Sequence, residues 1–564
     1  MKRIYTTLIA LSFLMAPLLN AQERYLDEVF TETELTANVI YGQNLTILPL
    51  LAMQAPAVRP LNLNLVTPTG DTETNRPLII LLHTGNFLPA LLNGGIHGDV
   101  DDPYLVSLAE RLGRMGYVVA LADYRKGWNP IATSQEERTN TLINAAYRGV
   151  QDINACTRFF RRSVMDGGNP YGINPEQIVV WGVGTGGYAA LGAAALDQYE
   201  DVLLDKFFGP DINGDGFPDP FVIEPFHGDP LNTQVGIDPF MTVGVDTLSY
   251  PNHADECEED GVNCRYSSEI QLVVNMGGAM GDISWYDESD PPTISYHVPT
   301  DPLAPYMSDI LIVPTTGDLV VQVDGSFNVN QQSNALGNND IFKENVVFDD
   351  PYTEAANASN NGLEGLFPFN RPNWDLTVGP FDDGIDNPVP VEASPWEYWD
   401  TAKWSTAPFG QATLADAEDD PCFGIPIEQC NWDLITRRSN PDGSIEKATA
   451  YQDSILGYFG PRACVALDLP CAQNFLIGDS TEDILSAGLV SASPNPTSND
   501  LVINSTEFNI KSVQLVDMSG KLALSIKGLD TRNYTVNRAG IESGMYILQV
   551  RFEDGLVSQK VVFK

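Results

Sequence analysis

The sequence predicts an α/β protein with a doubly wound sheet, followed by a small C-terminal β-sandwich. Between about Arg76 and Gln198, short apolar runs alternate with amphipathic segments, which is the pattern of parallel strands joined by crossover helices. After about residue 491 the chain changes to short segments of alternating polarity separated by turn residues. The chain has 564 residues, of which 43% are hydrophobic, so it can bury one large core and one small core.

The body is predicted to span residues 22–478, before a linker at 479–490 and the β-sandwich at 491–564. Two stretches, at about 201–268 and 307–442, are rich in Asn, Asp, Pro and Gly and lack a clear period, so we expect loop-rich insertions there. The expected strands are Pro77–His83, Tyr117–Ala122, Gln177–Trp181, Ile270–Met276 and Thr293–His297, and the expected helices are Tyr104–Met115, Arg138–Arg162, Gly186–Gln198 and Ile445–Phe459. Crossover helices between parallel strands cover both faces of a sheet.

Residues 1–21 have the features of a removable signal peptide. Lys2 and Arg3 precede an apolar run from Leu8 to Leu19, and Ala21 supplies a small residue at the cleavage site. We therefore expect a mature chain that begins near Gln22 and leaves the cytoplasm. No later stretch has the roughly 18 uncharged apolar residues of a membrane-spanning helix, so no transmembrane segment is predicted.

The formal net charge of −44 is concentrated in the body, because the residues from Ser491 onward carry eight Lys and Arg against seven Asp and Glu. Such a surface repels phosphate, which argues against a nucleic-acid partner. It attracts divalent cations, although solubility in a salty medium is the simpler explanation of the acidity.

Six of the seven cysteines form three close pairs, which we interpret as local disulfides suited to an oxidising compartment. Zinc is the alternative, but zinc sites favour shorter spacings and histidine partners, which these pairs lack. Cys156 lies in an apolar helical pattern and is expected to be a buried thiol. The predicted pairs are Cys257 with Cys264, Cys422 with Cys430, and Cys464 with Cys471.

A second candidate site lies in the first insertion, where oxygen-bearing residues recur at the spacing of a calcium loop. Gly216 stands at the sixth position, where such loops turn sharply, but Val222 replaces the carboxylate that closes the site. The loop resembles those of dockerins and type 3 thrombospondin repeats, which implies a structural Ca²⁺, and the alternative is a solvated turn. The expected ligands are Asp211, Asn213, Asp215, Asp219 and the carbonyl of Phe217.

The C-terminal module carries a specific set of motifs. It begins with Pro494-Asn495-Pro496, has an Asp517-x-x-Gly520-Lys521 turn and a Gly544-x-Tyr546 strand, and ends in Lys564. This pattern closely resembles the C-terminal sorting domain of type IX secretion cargo in Bacteroidetes. The resemblance implies export across the outer membrane to the cell surface or medium, with the type IX machinery as the partner; an ordinary adhesion β-sandwich is the alternative.

The body resembles the α/β-hydrolase fold, in particular its secreted esterase and lipase-like branch. The resemblance covers roughly Arg76–Tyr306 and the late helix. It rests on the run Pro77–Phe87, which is similar to the strand and oxyanion loop (positions His83 and Gly85), and on Asp123-Tyr124-Arg125. It rests also on the turn Gly182-Val183-Gly184-Thr185-Gly186 and on Pro292–Tyr306, which carries the position of the triad acid, Asp301.

The catalytic residues of that family are incomplete here. Gly184 stands at the nucleophile position of the elbow, and all five histidines precede Asp301, whereas the family's base follows the acid along the chain. Losing the serine or histidine of such a unit costs on the order of a million-fold in turnover. Thr84 and Asn86 also replace glycines of the oxyanion loop. The sequence therefore favours a catalytically degenerate hydrolase that does binding or surface work, with no confident catalytic residue and an unknown ligand.

Two alternatives stay open. One is an active secreted carboxylesterase whose nucleophile and base have moved to other positions. The other is an adhesin-like surface component whose insertions contact glycans or partner proteins.

Overall fold

The fold was analysed in a computed structural model of the chain. It describes residues 22–52, 54–90, 92–209, 211, 215–231, 237–243, 246–249, 266–313, 316–370, 392–406, 432–437, 439–476, 490–506, 508–517, 522–552 and 556–564. These residues divide into two compact units. The first comprises the chain up to Lys343 together with Phe348–Asn474, and the second comprises Glu344–Val347 and Phe475–Lys564.

The first unit contains the strands β1 to β13 and the helices α1 to α9. Its strands are β1 Thr33–Thr46, β2 Ala57–Pro68, β3 Arg76–Leu82, β4 Val118–Ala122, β5 Ile173–Val183, β6 Ile237–Val243, β7 Asp246–Ser249, β8 Leu272–Met276, β9 Ala279–Met280, β10 Thr293–His297, β11 Ser308–Ile312, β12 Leu319–Gly325 and β13 Leu366–Pro368. Its helices are α1 Pro103–Met115, α2 Gln135–Met165, α3 Thr185–Ala195, α4 Glu224–His227, α5 Ser326–Leu336, α6 Pro351–Asn357, α7 Thr401–Thr406, α8 Trp432–Thr436 and α9 Ile445–Ala466.

Eight of these strands form the central sheet, in the order β1-β2-β4-β3-β5-β8-β10-β13. The pairs β1–β2 and β2–β4 are antiparallel, whereas the pairs from β4 to β13 are parallel. Smaller sheets are formed by β11-β12-β9 and by β6-β7. The body is therefore a mixed α/β fold with a mainly parallel central sheet, as the sequence predicts.

Both faces of the central sheet are covered by helices. Leu78, Ile80 and Leu82 of β3 belong to one core cluster with residues of α2 and α3. Trp181 of β5 contacts Phe459 of α9, with 4.7 Å between the ring centroids. A strand covered on both faces is apolar throughout, and all seven residues of β3 are buried. The doubly wound arrangement predicted from the sequence is thus present.

Local signals explain where the covering helices begin and end. The side chain of Ser134 accepts a hydrogen bond from the backbone N–H of Glu137 and so caps the start of α2. Helix α1 begins at Pro103 and ends at Met115, where Gly116, with a φ of 108°, terminates it.

Two expectations for the body need correction. Strands β1 and β2 were not anticipated: β1 is the edge strand and is largely exposed over its first half, and β2 pairs it to β4. The stretch 307–442 is not simply an insertion: its described part includes β13, which pairs with β10 and completes the sheet, and α5. A strand of three residues is too short to show a period, which is why the sequence pattern missed it.

The second unit contains a β-sandwich made of antiparallel pairs. One sheet has the order β14-β15-β18 and the other β17-β16-β19-β20. Asn495 holds the last strand, because its amide donates to the carbonyl of Lys560 and its oxygen accepts from the N–H of Val562. The strands are β14 Val490–Ser493, β15 Leu501–Ser505, β16 Ile510–Asp517, β17 Leu522–Thr531, β18 Asn533–Val536, β19 Gly544–Arg551 and β20 Leu556–Phe563.

The predicted disulfide between Cys464 and Cys471 is present, with a Cα–Cα distance of 5.5 Å. Cys156 is fully buried. The pairs Cys257 with Cys264 and Cys422 with Cys430 lie outside the described residues, as do the predicted signal peptide at 1–21 and most of the predicted linker at 479–490. Within the described part of the chain, no helix is both long enough and apolar enough to cross a bilayer.

Candidate functional site

The elbow is the sharp turn at Gly184, between the carboxyl end of β5 and the start of α3. Gly184 has a φ of 52° and a ψ of −116°, a conformation that strains any residue with a side chain. A Cβ built on Gly184 would overlap Thr84 Oγ1 and would lie 3.0 Å from Thr84 Cβ. The space that a nucleophile side chain would occupy is therefore filled by Thr84, which follows β3.

The two backbone N–H groups that form an oxyanion hole in such a fold belong to the residue after the nucleophile position and to the loop after β3. Here the N–H of Thr185 faces Thr84 Oγ1 at 3.4 Å. The N–H of Asn86 donates to Thr185 Oγ1 at 2.7 Å. Both donors are thus directed at hydroxyls of the chain itself, which compete with any substrate oxygen for them.

His83, at the start of the oxyanion loop, is fully buried and fully engaged. Its Nε2 lies 3.0 Å from Asp123 Oδ1, and its ring stacks on Tyr124 with 4.5 Å between centroids. Burial opposes ionisation of Asp123, but hydrogen bonds with His83 and Lys126 lower the pKa of Asp123 to about 2. The geometry makes His83 a structural link between the ends of β3 and β4.

Gly85 has the backbone conformation and the close contacts that require a glycine. Its φ is 127°, and a Cβ there would lie 2.7 Å from the Cα of Gly98. Asn93 fastens the same loop by donating to the carbonyls of Gly85 and His97, at 3.2 and 2.7 Å. The loop after β3 is therefore held in place by these contacts, and His97 at its far end lines the same cavity as Gly184.

Asp301 lies in the turn after β10. Its Oδ1 accepts the backbone N–H groups of Leu303 and Ala304 at 2.7 and 3.2 Å. Its Oδ2 points toward Gly277, 3.8 Å from where a Cβ on that glycine would stand. Burial raises the pKa of Asp301 to about 8. The hydrogen bonds from the two N–H groups lower that pKa only in part, and the nearby carboxyl of Glu397 raises it further.

Glu397 follows β13, the last strand of the sheet, and meets His97 from the loop after β3. Its Oε2 lies 3.7 Å from His97 Nε2, while His97 Nδ1 lies 3.6 Å from Asp102 Oδ1. Burial raises the pKa of Glu397. Burial by itself would lower the pKa of His97, but the carboxyls of Glu397 and Asp102 outweigh it and raise that pKa.

These residues line one cavity of about 540 Å³ in the first unit, a volume typical of small-molecule sites. Its polar lining comes from the loops after β3 and β10 and from residues 394–397 and 436–440. Its apolar lining comes mainly from α2, from residues 196–222 and from β11 and β12. Gly184, Thr84, His97, Asp301 and Glu397 all contribute to its wall.

Two further histidines lie elsewhere in the body. His297 is buried on β10, 2.7 Å from Ser326 Oγ, and burial lowers its pKa to about 4. His227 hydrogen-bonds with the backbone of Ile223, and burial lowers its pKa to about 4. His253 lies outside the described residues. Of the four described histidines, His97 is the one that lines the cavity.

The predicted calcium loop is described at Asp211 and at 215–219, whereas Asn213 lies outside the described residues. The carboxylate of Asp211 accepts the N–H groups of Asp215 and Gly216, at 3.0 and 2.7 Å. Gly216 has a φ of 92°, and Phe217 is 73% exposed. Among the described residues, His, Cys, Asp and Glu form no group of three or more that could hold a metal ion.

Comparison with known proteins identifies the C-terminal module. Residues 491–564 match the family model of the secretion system C-terminal sorting domain. The chain is therefore exported cargo of type IX secretion, and the module is the part that the secretion machinery recognises. The sequence-based resemblance of the module is confirmed.

Several solved structures that are similar to this chain are esterases. They include Thermogutta terrifontis esterase 2 phosphorylated by paraoxon, with 14% identity over 49% of this chain and 74% of that chain and a TM-score of 0.26. A truncated carbohydrate esterase from gut microbiota has 14% identity over 55% and 86%, with a TM-score of 0.26. Esterase B from Lactobacillus rhamnosis has 21% identity over 32% and 44%, with a TM-score of 0.20. No curated protein matches the chain by sequence. The α/β assignment above rests on the strand order and directions.

The structure brings together Gly184, Asp301 and Gly85, which the sequence singled out, on the wall of one cavity. His83 is instead buried against Asp123 and Tyr124. Sequence reasoning missed His97 and Glu397 as cavity residues. Glu397 lies in a stretch without a period, and only its place after the last strand could have drawn attention to it. His97 lies shortly after Gly94-Gly95, and such a glycine pair indicates an ordinary loop and not a binding site.

Proposed function

We propose that this exported protein is a non-catalytic member of the α/β-hydrolase type whose former active site serves as a binding cavity. The observation that carries the proposal is the filled elbow. Thr84 occupies the nucleophile's space, and the Thr84 and Thr185 hydroxyls face the two oxyanion-hole donors. An ester carbonyl would meet neither a nucleophile at position 184 nor a free pair of N–H groups.

The retained cavity supports binding as the remaining role. A protein that had simply lost its function would gain stability by filling a cavity of this size. The side chains around an empty apolar cavity lack packing contacts, and this lowers the stability of the fold. The cavity instead combines an apolar wall with ionisable groups, Asp301 and Glu397, which are costly to bury unless they are paired or hydrogen-bonded. That combination is typical of small-molecule sites.

We also propose that the loop at 211–219 binds a structural Ca²⁺. The Asp211 carboxylate organises the turn through Asp215 and Gly216, and the oxygen-bearing residues stand at calcium-loop spacing. The ion would supply the charge balance for the carboxylates and rigidify the loop.

The proposal is tested by measuring the hydrolysis of short-chain nitrophenyl esters by the purified mature chain. The rate should equal that of a matched preparation in which Thr185 is changed to Val, which removes the elbow hydroxyl at nearly constant volume. A rate well above background that falls in Thr185→Val would instead support an active hydrolase with a relocated nucleophile. Background rates in both preparations support the binding proposal.

A further inference from the structure

The charges around the cavity are unequal. Among the described residues that line it, two are carboxylic acids, Asp301 and Glu397, and none is a lysine or arginine. His97 is the lining residue that can carry a positive charge. The body as a whole is strongly acidic, so no surrounding excess of positive charge compensates the cavity.

His97 balances Glu397 rather than Asp301. It is 7% exposed, and its two ring nitrogens lie 3.6 and 3.7 Å from carboxylate oxygens of Asp102 and Glu397. These distances exceed a hydrogen bond, and neither nitrogen has a hydrogen-bond partner among the described residues. His97 is therefore held between two other carboxylates and does not neutralise Asp301.

Asp301 has an unused oxygen on the same cavity. Both of its backbone N–H partners reach Oδ1, and no hydrogen bond from a described residue reaches Oδ2. The hydroxyl of Tyr188 is also buried, and it has no hydrogen-bond partner among the described residues. Burial raises the pKa of Tyr188, and the nearby carboxyl of Asp301 raises it further. A carboxylate in this position lacks a cation, and its ionisation there is costly unless one is supplied.

The rest of the lining is suited to a hydrocarbon. Helix α2 contributes Leu142, Ile143 and Val150, and β12 contributes Val320 and Val323. Burying apolar ligand surface against such side chains is favourable, because it removes that surface from water. The ligand should therefore carry an apolar body as well as a charged head.

We propose that the cavity binds an organic ammonium ion with an apolar body, whose head pairs with Asp301 Oδ2 and whose body lies against the apolar lining. The inference rests on the proposed binding function and names its ligand class. The head would supply the positive charge that Asp301 lacks, and its N–H groups could also reach the Tyr188 hydroxyl.

The test is calorimetric titration of the purified mature chain with three probes of equal chain length: hexylammonium, 1-hexanol and hexanoate. Hexylammonium should bind at least tenfold more tightly than hexanol, and hexanoate should bind more weakly than either. Asp301→Asn, which retains an oxygen for the Leu303 and Ala304 N–H groups, should weaken hexylammonium at least tenfold and leave hexanol within twofold. Glu110→Gln, an exposed carboxylate on α1, is the matched control and should change nothing.

Binding of hexanol or hexanoate as tight as that of hexylammonium would overturn the inference, as would the absence of binding by all three probes or an unchanged affinity in Asp301→Asn. The comparison of the three probes on the unaltered chain needs no variant, so it decides the matter even if the substitution impairs folding. A wrong proposal of a non-catalytic function would give a different result, namely ester hydrolysis that is lost when the Thr185 hydroxyl is removed.

Discussion

The side chain of Thr84 occupies the space into which a side chain on Gly184 would project. In the hydrolase pattern that the sequence resembles, the sizes are reversed, with a serine at the elbow and a glycine in the loop after β3. The side-chain volume thus stands on Thr84, after β3, instead of on position 184, after the neighbouring strand β5. We call this arrangement the exchange of volume. A single reversion cannot restore the elbow, because each residue now fits the other.

Gly184→Ser should lower the free energy of unfolding by about 1–3 kcal/mol, because the serine would be strained and would overlap Thr84. It should gain no ester hydrolysis. Adding Thr84→Gly should recover part of the loss, giving a coupling energy of about 1 kcal/mol in denaturant unfolding. Gly70→Ser is the control, since Gly70 also has a positive φ but nothing lies within 4 Å of its Cβ position. Strict additivity of Gly184→Ser and Thr84→Gly would contradict the exchange of volume.

The sequence revealed much of the fold because periodic patterns are local. The apolar run of β3 and the amphipathic pattern of α2 were readable directly, and their predicted bounds differ from the observed ones by only a few residues. The three residues of β13 and the exposed edge of β1 carry no such signal. Their places in the sheet depend on pairing with strands distant in the chain, which a single sequence does not show.

The candidate site was predictable residue by residue but not as an arrangement. The sequence showed that Gly184 cannot attack and that Thr84 and Asn86 are not glycines. It could not show that Thr84 fills the place of the missing side chain, because that contact joins residues 100 positions apart. The contact of His97 with Glu397 joins positions 300 apart, and it likewise could not be predicted from the sequence.

Asp301→Asn should alter the pH dependence of stability. With a folded-state pKa raised to about 8, Asp301 binds a proton in the folded chain and has released it in the unfolded chain between about pH 4 and pH 8. The native protein should therefore lose stability across this window as pH rises, by up to about 1.4 kcal/mol per unit from this group. The asparagine variant should lack that loss. Urea unfolding at several pH values measures the difference, which should grow from pH 4 to pH 8 and then level off. A constant difference would show that Asp301 ionises normally.

Calcium should raise the melting temperature of the chain, because an ion that binds only the folded loop stabilises it by mass action. The double variant Asp211→Ala with Asp215→Ala should not respond. Magnesium serves as the control ion, since it tolerates such flexible oxygen cages poorly. Identical thermal denaturation with calcium and with a chelator would favour a plain solvated turn.

Deleting residues 491–564 should leave a folded body that stays in the periplasm, because the sorting module is recognised by the secretion machinery and lies in a unit of its own. Fractionation of cells that express the full and truncated chains would measure this. Full-length chain in cells without an active type IX system provides the control and should be retained in the same way. Normal levels of the truncated chain outside the cell would contradict the sorting role.

The most direct test of the central claim, that the elbow is filled and inert, is covalent labelling of the native mature chain with a fluorophosphonate, followed by intact-mass and peptide mass spectrometry. Such reagents label activated nucleophiles next to a working base and an open oxyanion hole. The account predicts no adduct at any residue of the cavity, with an active serine esterase labelled stoichiometrically under the same conditions. A stoichiometric adduct on Thr84, Thr185 or any other cavity residue would contradict it and would identify the nucleophile.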